Sequence, residues 1–500
     1  MTATMAGRRT PGITLISVLA ALSLVTAACG PGSNRTGGTS PAASPQASTG
    51  TGGSPSAGGD ASGSPAASAD ASGSPAASGG GGDLSGAILV GAKYTDADEI
   101  ATVRYDTFME AYANVDVKFT EADFDPQAFL TAVASGDAPD VVQMDRGIIG
   151  TYIAEGALEP LDECITSRGI DMSQYREAAV NAVTFEGSVY GIPQFYDTRI
   201  MMINDSVLED TGVTIEELDT SDWDGLAAAN EKLLARDGDT ITRLGIDPKL
   251  PDFLPMWAGA NGAKILSDDG KESLLDDPKV AEALEFTAGL VKAHGTAAAF
   301  TDFRSTGPGS AFFGEENQYT EDSLGAMPME QWYLNVMAGD TPDEAVSFAP
   351  FKDRQGNTIT LAGGSAWVVP TGGDNIEAAC EFARTVTLAD TWYAASKARA
   401  DARAAEGSPF TGTYTANSVA DERIFGELVT EETAGKFYEG VQIALDSADS
   451  AIEVPPTGAA EEFRRIWNEA VQRVLNEDVP AAEALADADQ EAQDAIDGAG

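Results

Sequence analysis

Of 500 residues, 79 are Asp or Glu and 30 are Lys or Arg, a formal charge of -49 with a single histidine. A surface this acidic repels phosphate backbones and anionic lipid, so a nucleic-acid-tracking role is disfavoured and solubility is the purpose of the charge. One histidine also removes the usual parts of Ser-His and Cys-His catalysis and of His-based zinc sites.

Taken in chain order, Arg8 and Arg9 precede an apolar run from Ile13 to Ala28, too short for a comfortable membrane span and right for a secretory signal. The run ends in Thr26-Ala27-Ala28-Cys29, which resembles the bacterial lipoprotein signal. That resemblance implies a signal peptide over 1–28, removed on export, and lipidation of Cys29, although Thr26 stands where Leu or Val is usual. An ordinary cleaved signal with an unmodified Cys29 is the alternative. Acyl chains at about 0.8 kcal/mol per buried methylene would hold a soluble domain at the membrane. From residue 29 to 83 the chain is almost wholly Gly, Ser, Ala, Pro and Thr, with one octapeptide at 61–68 repeated at 71–78. Lacking apolar residues, it has nothing to offset the entropy of ordering and reads as a tether, with a coil reach of roughly 40 Å.

About 415 residues follow, enough for two lobes with real cores. Ala87 to Gly91 reads as a buried strand, and Asp98 to Ala113 as a helix with Ile100, Val103, Phe108, Ala111 and Tyr112 on its apolar spacing. Val115 to Phe119 is a second strand. Asp125-Pro126 reads as a cap and first helical residue of a helix ending near Gly136. Pro139 to Met144 is the third strand. This alternation predicts an α/β class with a mostly parallel sheet, and ligands beyond the strands' carboxyl ends, at Tyr94 and Asp145-Arg146. Farther on, helices are predicted over Pro278 to Ala293 and Ala459 to Glu477. The latter carries one apolar stripe, Phe463, Ile466, Trp467, Ala470, Val471, Val474 and Leu475, expected to dock on its own domain.

His294 falls at a predicted helix end, where a partial positive charge suits the dipole. Asp222, Asp224, Gly225 and Glu231 partly mimic a calcium loop, but Thr220 stands in place of its first Asp and a helix cap near Asp224 explains the stretch better. No metal or cofactor is expected. Cys164 and Cys380 are the one further cysteine pair, and whether they form a disulfide is left open by the sequence.

Several segments, in order, resemble one family. They are Gly136-Asp137-Ala138-Pro139-Asp140-Val141-Val142, then Gly156 to Asp162, then Tyr190-Gly191-Ile192-Pro193 with Tyr196-Asp197-Thr198-Arg199 and Asn204-Asp205. Gly363-Gly364-Ser365-Ala366-Trp367-Val368-Val369-Pro370 and the C-terminal helix with Ala481 to Leu485 complete the series. Together these are similar to the maltose-binding-like extracellular solute-binding proteins (family 1) of carbohydrate ABC transporters. The resemblance implies a hinged, two-lobed periplasmic-binding-protein-like fold of type II, lobe I over 84–194 plus 364–410 and lobe II over 195–363 plus 411–500. Phe195 to Arg199, Leu361 to Ser365 and the stretch after Phe410 become the crossings, with Gly363-Gly364 absorbing torsion.

It further implies capture of a sugar or oligosaccharide, delivery to ABC permease subunits, no catalysis, and a monomer on the extracytoplasmic face held only by its lipid. Sugars need flat apolar faces and planar polar groups. By position in the family pattern these are Tyr94, Asp145, Arg146, Phe195, Tyr196, Asp197, Arg199, Trp257, Trp332, Gly364, Ser365 and Trp367. One departure is the acidic insertion Glu315 to Asp322, which either admits a cationic or amino-bearing ligand or is a surface loop. The rival readings are a receptor of the same fold for a polyamine, peptide or other small molecule, and a surface glycosidase using paired carboxylates.

Overall fold

The computed structural model describes residues 84–120 and 124–499. The expectations for the signal peptide, Cys29 and the tether lie outside the described residues.

Local chemistry sets the first elements. The strand Gly86–Gly91 leads to a helix, Glu99–Ala111, that starts where the Asp98 carboxylate accepts from the backbone of Ile100 and Ala101. That helix buries Ile100, Arg104, Tyr105 and Phe108. The strand Val115–Phe119 follows, then the helix Pro126–Ser135, capped by Asp125 and stopped by Gly136 in the left-handed region that glycine adopts without strain. The strand Val141–Asp145 closes the run. Val115–Phe119 and Val141–Asp145 flank Gly86–Gly91, both parallel to it. Beyond them the return strand Ser365–Val368 inserts antiparallel between Val141–Asp145 and Gly191–Pro193, with Ser365 opposite Asp145. The parallel expectation therefore holds for the βαβ run and gives way where the chain comes back from elsewhere.

The second five-stranded sheet orders Val346–Ala349, Arg199–Asn204, Leu324–Glu330, Thr240–Ile246 and Ala235–Asp237. Its one parallel pairing joins Leu324–Glu330 to Thr240–Ile246. Along Arg199–Asn204 the side chains alternate: Ile200 and Met202 enter one core, Met201 and Ile203 the other, so helices cover both faces. The helix Ala460–Asn476 buries the whole predicted stripe in the Ile200 core. At about 1.5–3 kcal/mol per large apolar side chain, docking on its own domain dominates that helix's energetics.

Cys164 and Cys380 form a disulfide, with Cα atoms 6.1 Å apart, joining the helices Asp162–Arg168 and Ile376–Thr387. Asp222 caps the helix Trp223–Leu233 by accepting from Gly225 at 3.1 Å. The cap is thus Asp222 rather than Asp224. The insertion after Phe313 is more than a surface loop. Tyr319 is fully buried and donates to the Met202 carbonyl, while Asn204 donates to the Tyr319 carbonyl and to Asp322. These anchors lie at the Asn204 end of the sheet, away from the Arg199–Glu330 end, and Glu315, Glu316 and Glu321 face solvent.

The expectation of a charged His294 is corrected by its partners. Nε2 accepts from Gly245 N at 2.8 Å and Nδ1 lies 2.9 Å from the Leu290 carbonyl, so the proton sits on Nδ1 and the buried ring is neutral. Burial pushes its pKa below 6.5. A depressed pKa gives stability that is present above about 6.5 and is lost as pH falls below it. His294→Ala will lower unfolding free energy by about 1–3 kcal/mol, because it orphans the buried Gly245 amide, and will flatten that part of the pH profile in urea titrations.

Candidate functional site

Between the two sheets, chain segments run side by side. Gln194 donates to Ser365, Asp197 and Gly363 exchange backbone hydrogen bonds at 3.0 Å, and Phe195 bridges Thr415. Thr360–Leu361 pairs with Ala451–Ile452. Gly364 holds φ +123, and a Cβ there would run into the Phe195 carbonyl. The close approach that only glycine allows at Gly364 is therefore to the neighbouring crossing.

Arg146 is the tie among these segments. Its strand ends at Asp145, so the next side chain turns in under the crossings, where it is 3% exposed. The guanidinium donates to the carbonyls of Phe195 and Gly363 and lies 3.6 Å from Glu453. Burial raises the pKa of Glu453. Tyr196 is buried with the guanidinium of Arg146 5.6 Å from its ring centre and that of Arg176 at 5.1 Å. Arg176 in turn pairs with buried Asp421 at 2.9 Å. Arg199 donates to the Leu361 carbonyl at 2.7 Å and pairs with Glu330 at 3.2 Å. Phe195 turns away onto Trp392. Arg146, Tyr196, Arg199, Gly364 and Phe195 thus build the frame of the crossing.

Other expected residues open onto it. Asp145 is exposed, accepts from Gly147 N and pairs with Arg464 at 3.2 Å. Arg464 projects from the helix Ala460–Asn476, so this pair links the carboxyl end of the first sheet's central strand to a helix packed on the second. Tyr152 adds a second link, donating to Glu461 at 2.8 Å. Ser365 lies opposite Asp145, its hydroxyl 3.4 Å from the Gln143 amide. Asp197 is half-buried, its backbone paired with Gly363. Gln331 straps this corner, accepting from Thr198 N at 2.6 Å and donating to the Tyr196 carbonyl at 2.9 Å. Trp332 follows it, half-buried, with its ring 20° from the plane of Phe313. Tyr94 sits beyond the first strand against Tyr105 and Phe119, its hydroxyl 3.2 Å from Thr102.

Two expected residues do not reach the site. Trp257 is fully buried against Phe286 and Phe351, with its indole donating to Pro248. Trp367 is fully buried between Tyr105 and Phe382, because it lies on the same face as Ser365 but two residues farther into the sheet, where helix side chains cover that face. Conversely, Glu330, Glu453, Arg464, Asp252 and Phe313 join the site without having been singled out. Glu330 carried one signal, its place two residues before Trp332. Arg464 carried another, a cation in the first turns of a helix that otherwise opens on acids.

Burial pushes the Asp197 carboxyl up to about 6, with Arg199 opposing and Glu330 reinforcing the shift. A raised folded pKa gives stability that is fully present below 3.8 and is lost as pH rises through about 6. Ionised Asp197 is therefore a cost at neutral pH. Asp197→Asn will raise apo stability at pH 7 by about 1–2 kcal/mol, and the gain will vanish near pH 4 in parallel denaturation curves.

Two α/β sheets joined by adjacent crossings, with polar groups and an aromatic wall gathered beside them, define a hinged two-lobed binding protein. A family profile described as bacterial extracellular solute-binding protein matches residues 104–418, and the chain belongs to that family. It is 26% identical over 264 residues to the arabinooligosaccharide-binding protein of Halalkalibacterium halodurans, covering 51% of this chain and 55% of that one. It is also 26% identical over 181 residues to the maltotriose-binding protein of Pyrococcus abyssi, covering 36% and 37%. The chain thus spans about half or less of the length of these relatives. Among solved structures, CpMnBP1 with mannotriose bound superposes with TM-score 0.65 at 18% identity, over 81% of this chain and 99% of that one. The acarbose-binding GacH receptor of Streptomyces glaucescens gives 0.63 at 18%, over 83% and 99%. These likenesses establish the fold. No helix among the described residues is long and apolar enough to cross a membrane.

Proposed function

We propose that this protein captures a sugar or oligosaccharide between its lobes and hands it to the permease subunits of an ABC transporter, without catalysing a reaction. Lobe I then comprises 84–194 plus 364–410 and lobe II 195–363 plus 411–500, with Cys29 as the lipid anchor of a monomer on the extracytoplasmic face. The observation that carries this reading is the family membership together with a crossing onto which Asp145, Ser365 and Asp197 open, with Glu330 paired to Arg199 and Trp332 two residues beyond it. Carboxylates accept from sugar hydroxyls, and an aromatic face packs on the C–H side of the ring. The lobe assignment follows the crossings, and Asp145–Arg464 and Tyr152–Glu461 would be contacts made on closure. The names of the relatives, which bind arabino-, malto- and manno-oligosaccharides, support the ligand class.

The test is a melting-temperature screen of the mature protein with arabinotriose, maltotriose and mannotriose, with product analysis alongside. A ligand at 100 times its Kd adds about 2.7 kcal/mol of stability. A shift without products supports binding. Hydrolysis of the sugar sinks the binding-only reading, and stabilisation by peptides alone sinks the sugar.

A further inference from the structure

The charges around the crossing are unequally committed. Arg146 spends its guanidinium on Phe195, Gly363 and Glu453, Arg199 on Leu361 and Glu330, and Arg464 on Asp145. The Lys249 ammonium lies over the Phe312 ring, 4.7 Å from its centre. Two carboxylates remain. Asp197 and Asp252 have neither a side-chain hydrogen bond nor an ion pair among the described residues, although both lie in the field of Glu330 and of neighbouring cations. Asp252 is exposed. Asp197 is different, because it is half-buried at the corner that Gln331 straps, where an anion without an ion-pair partner carries a desolvation cost that the fields of Arg199 and Arg146 only partly offset.

An occupant of the cleft removes that cost by donating. A hydroxyl supplies a neutral hydrogen bond, and an ammonium supplies a charge-assisted one about twice as strong. The half-exposed Trp332 ring adds a face that also favours a cation. An anionic ligand finds no uncommitted guanidinium here and two open carboxylates.

We infer that the ligand carries a protonated amino group, as an amino sugar or an amino-bearing oligosaccharide, with Asp197 as its acceptor, and that sugars bearing carboxylates are rejected. The inference rests on the sugar-capture reading above.

The test takes whichever neutral trisaccharide of the screen stabilises the protein and compares it, by calorimetry at pH 7.5, with its amino-deoxy and uronic analogues. Glucosamine and its β-linked trimer are screened in the same way. The amino analogue will bind about tenfold tighter than the neutral sugar, from the difference between charged and neutral hydrogen bonds, and the uronic analogue more weakly. In Asp197→Asn, which retains the shape of the side chain, the tenfold preference will disappear. Equal or weaker binding of the amino analogue by the wild type overturns the inference while leaving sugar capture standing, and so does a preference that survives Asp197→Asn. Binding of the glucosamine series with no neutral sugar bound supports it, and binding of neither series overturns both readings. The wild-type comparison decides the matter even if the variant folds poorly.

Discussion

Removing the Cys164–Cys380 disulfide will lower the unfolding free energy by about 4–5 kcal/mol, because the bond closes a loop with a sequence separation of 216 and loop-closure entropy grows with the logarithm of that length. The double variant Cys164→Ala with Cys380→Ala leaves no free thiol to confuse the measurement. In a chain of this size the loss corresponds to a fall of about 5 °C in Tm, and calorimetry of the two proteins measures it. The bond also has local allies. Arg168 lies 3.7 Å from both Glu377 and Glu381, and Tyr112 donates to Glu381 at 2.7 Å, so the two helices remain in contact without it. Those contacts make unfolding rather than rearrangement the expected readout. A loss below about 1 kcal/mol would show that the unfolded chain is already compact around these helices.

Local chemistry was legible in the sequence wherever one residue type had one physical reason to be there. Asp98 and Asp125 cap the helices they were expected to start, and Asp277 caps the helix predicted from Pro278; Val115 to Phe119 forms the expected strand. The crossings were legible only through the family pattern, since nothing in the spacing of Phe195 to Arg199 distinguishes a link between sheets from an edge strand. Side-chain direction was the harder matter. Trp257 and Trp332 look alike as isolated tryptophans, yet one closes a core and the other stands at the end of a strand where the chain turns into a helix. Trp367 was expected at the cleft and does share a face with Ser365, but it lies two residues farther into the sheet, opposite Gln143 and Ile192, where that face is already covered by Tyr105 and Phe382. Arg146 and Arg199 were expected on the ligand. A guanidinium has five donors, and beside several adjacent backbones most are taken by carbonyls before a ligand arrives. Glu453 and Glu330 escaped notice because an acidic chain offers many carboxylates, and only the position of the arginines picks out these two.

Arg146→Met will cost about 3–5 kcal/mol of stability, the range for removing one partner of a buried ion pair. The methionine fills much of the volume, so the loss is chiefly electrostatic. The Phe195 and Gly363 carbonyls lose a donor, and Glu453, already pushed up in pKa by burial, loses the cation that opposes that shift. Adding Glu453→Gln to Arg146→Met removes the stranded charge and will recover part of the deficit. A double-mutant cycle in urea then isolates the coupling between them, expected at about 1–3 kcal/mol. The same variants separate stability from binding. The segment that Arg146 ties at Phe195 and Gly363 also carries Asp197, whose backbone pairs with Gly363. Loosening that tie lets the carboxylate wander, so the double variant, although restabilised, will bind ligand more weakly than the wild type. If restored stability brings restored affinity, the Gln331 strap alone holds Asp197 in place, and Arg146 serves folding without serving the site.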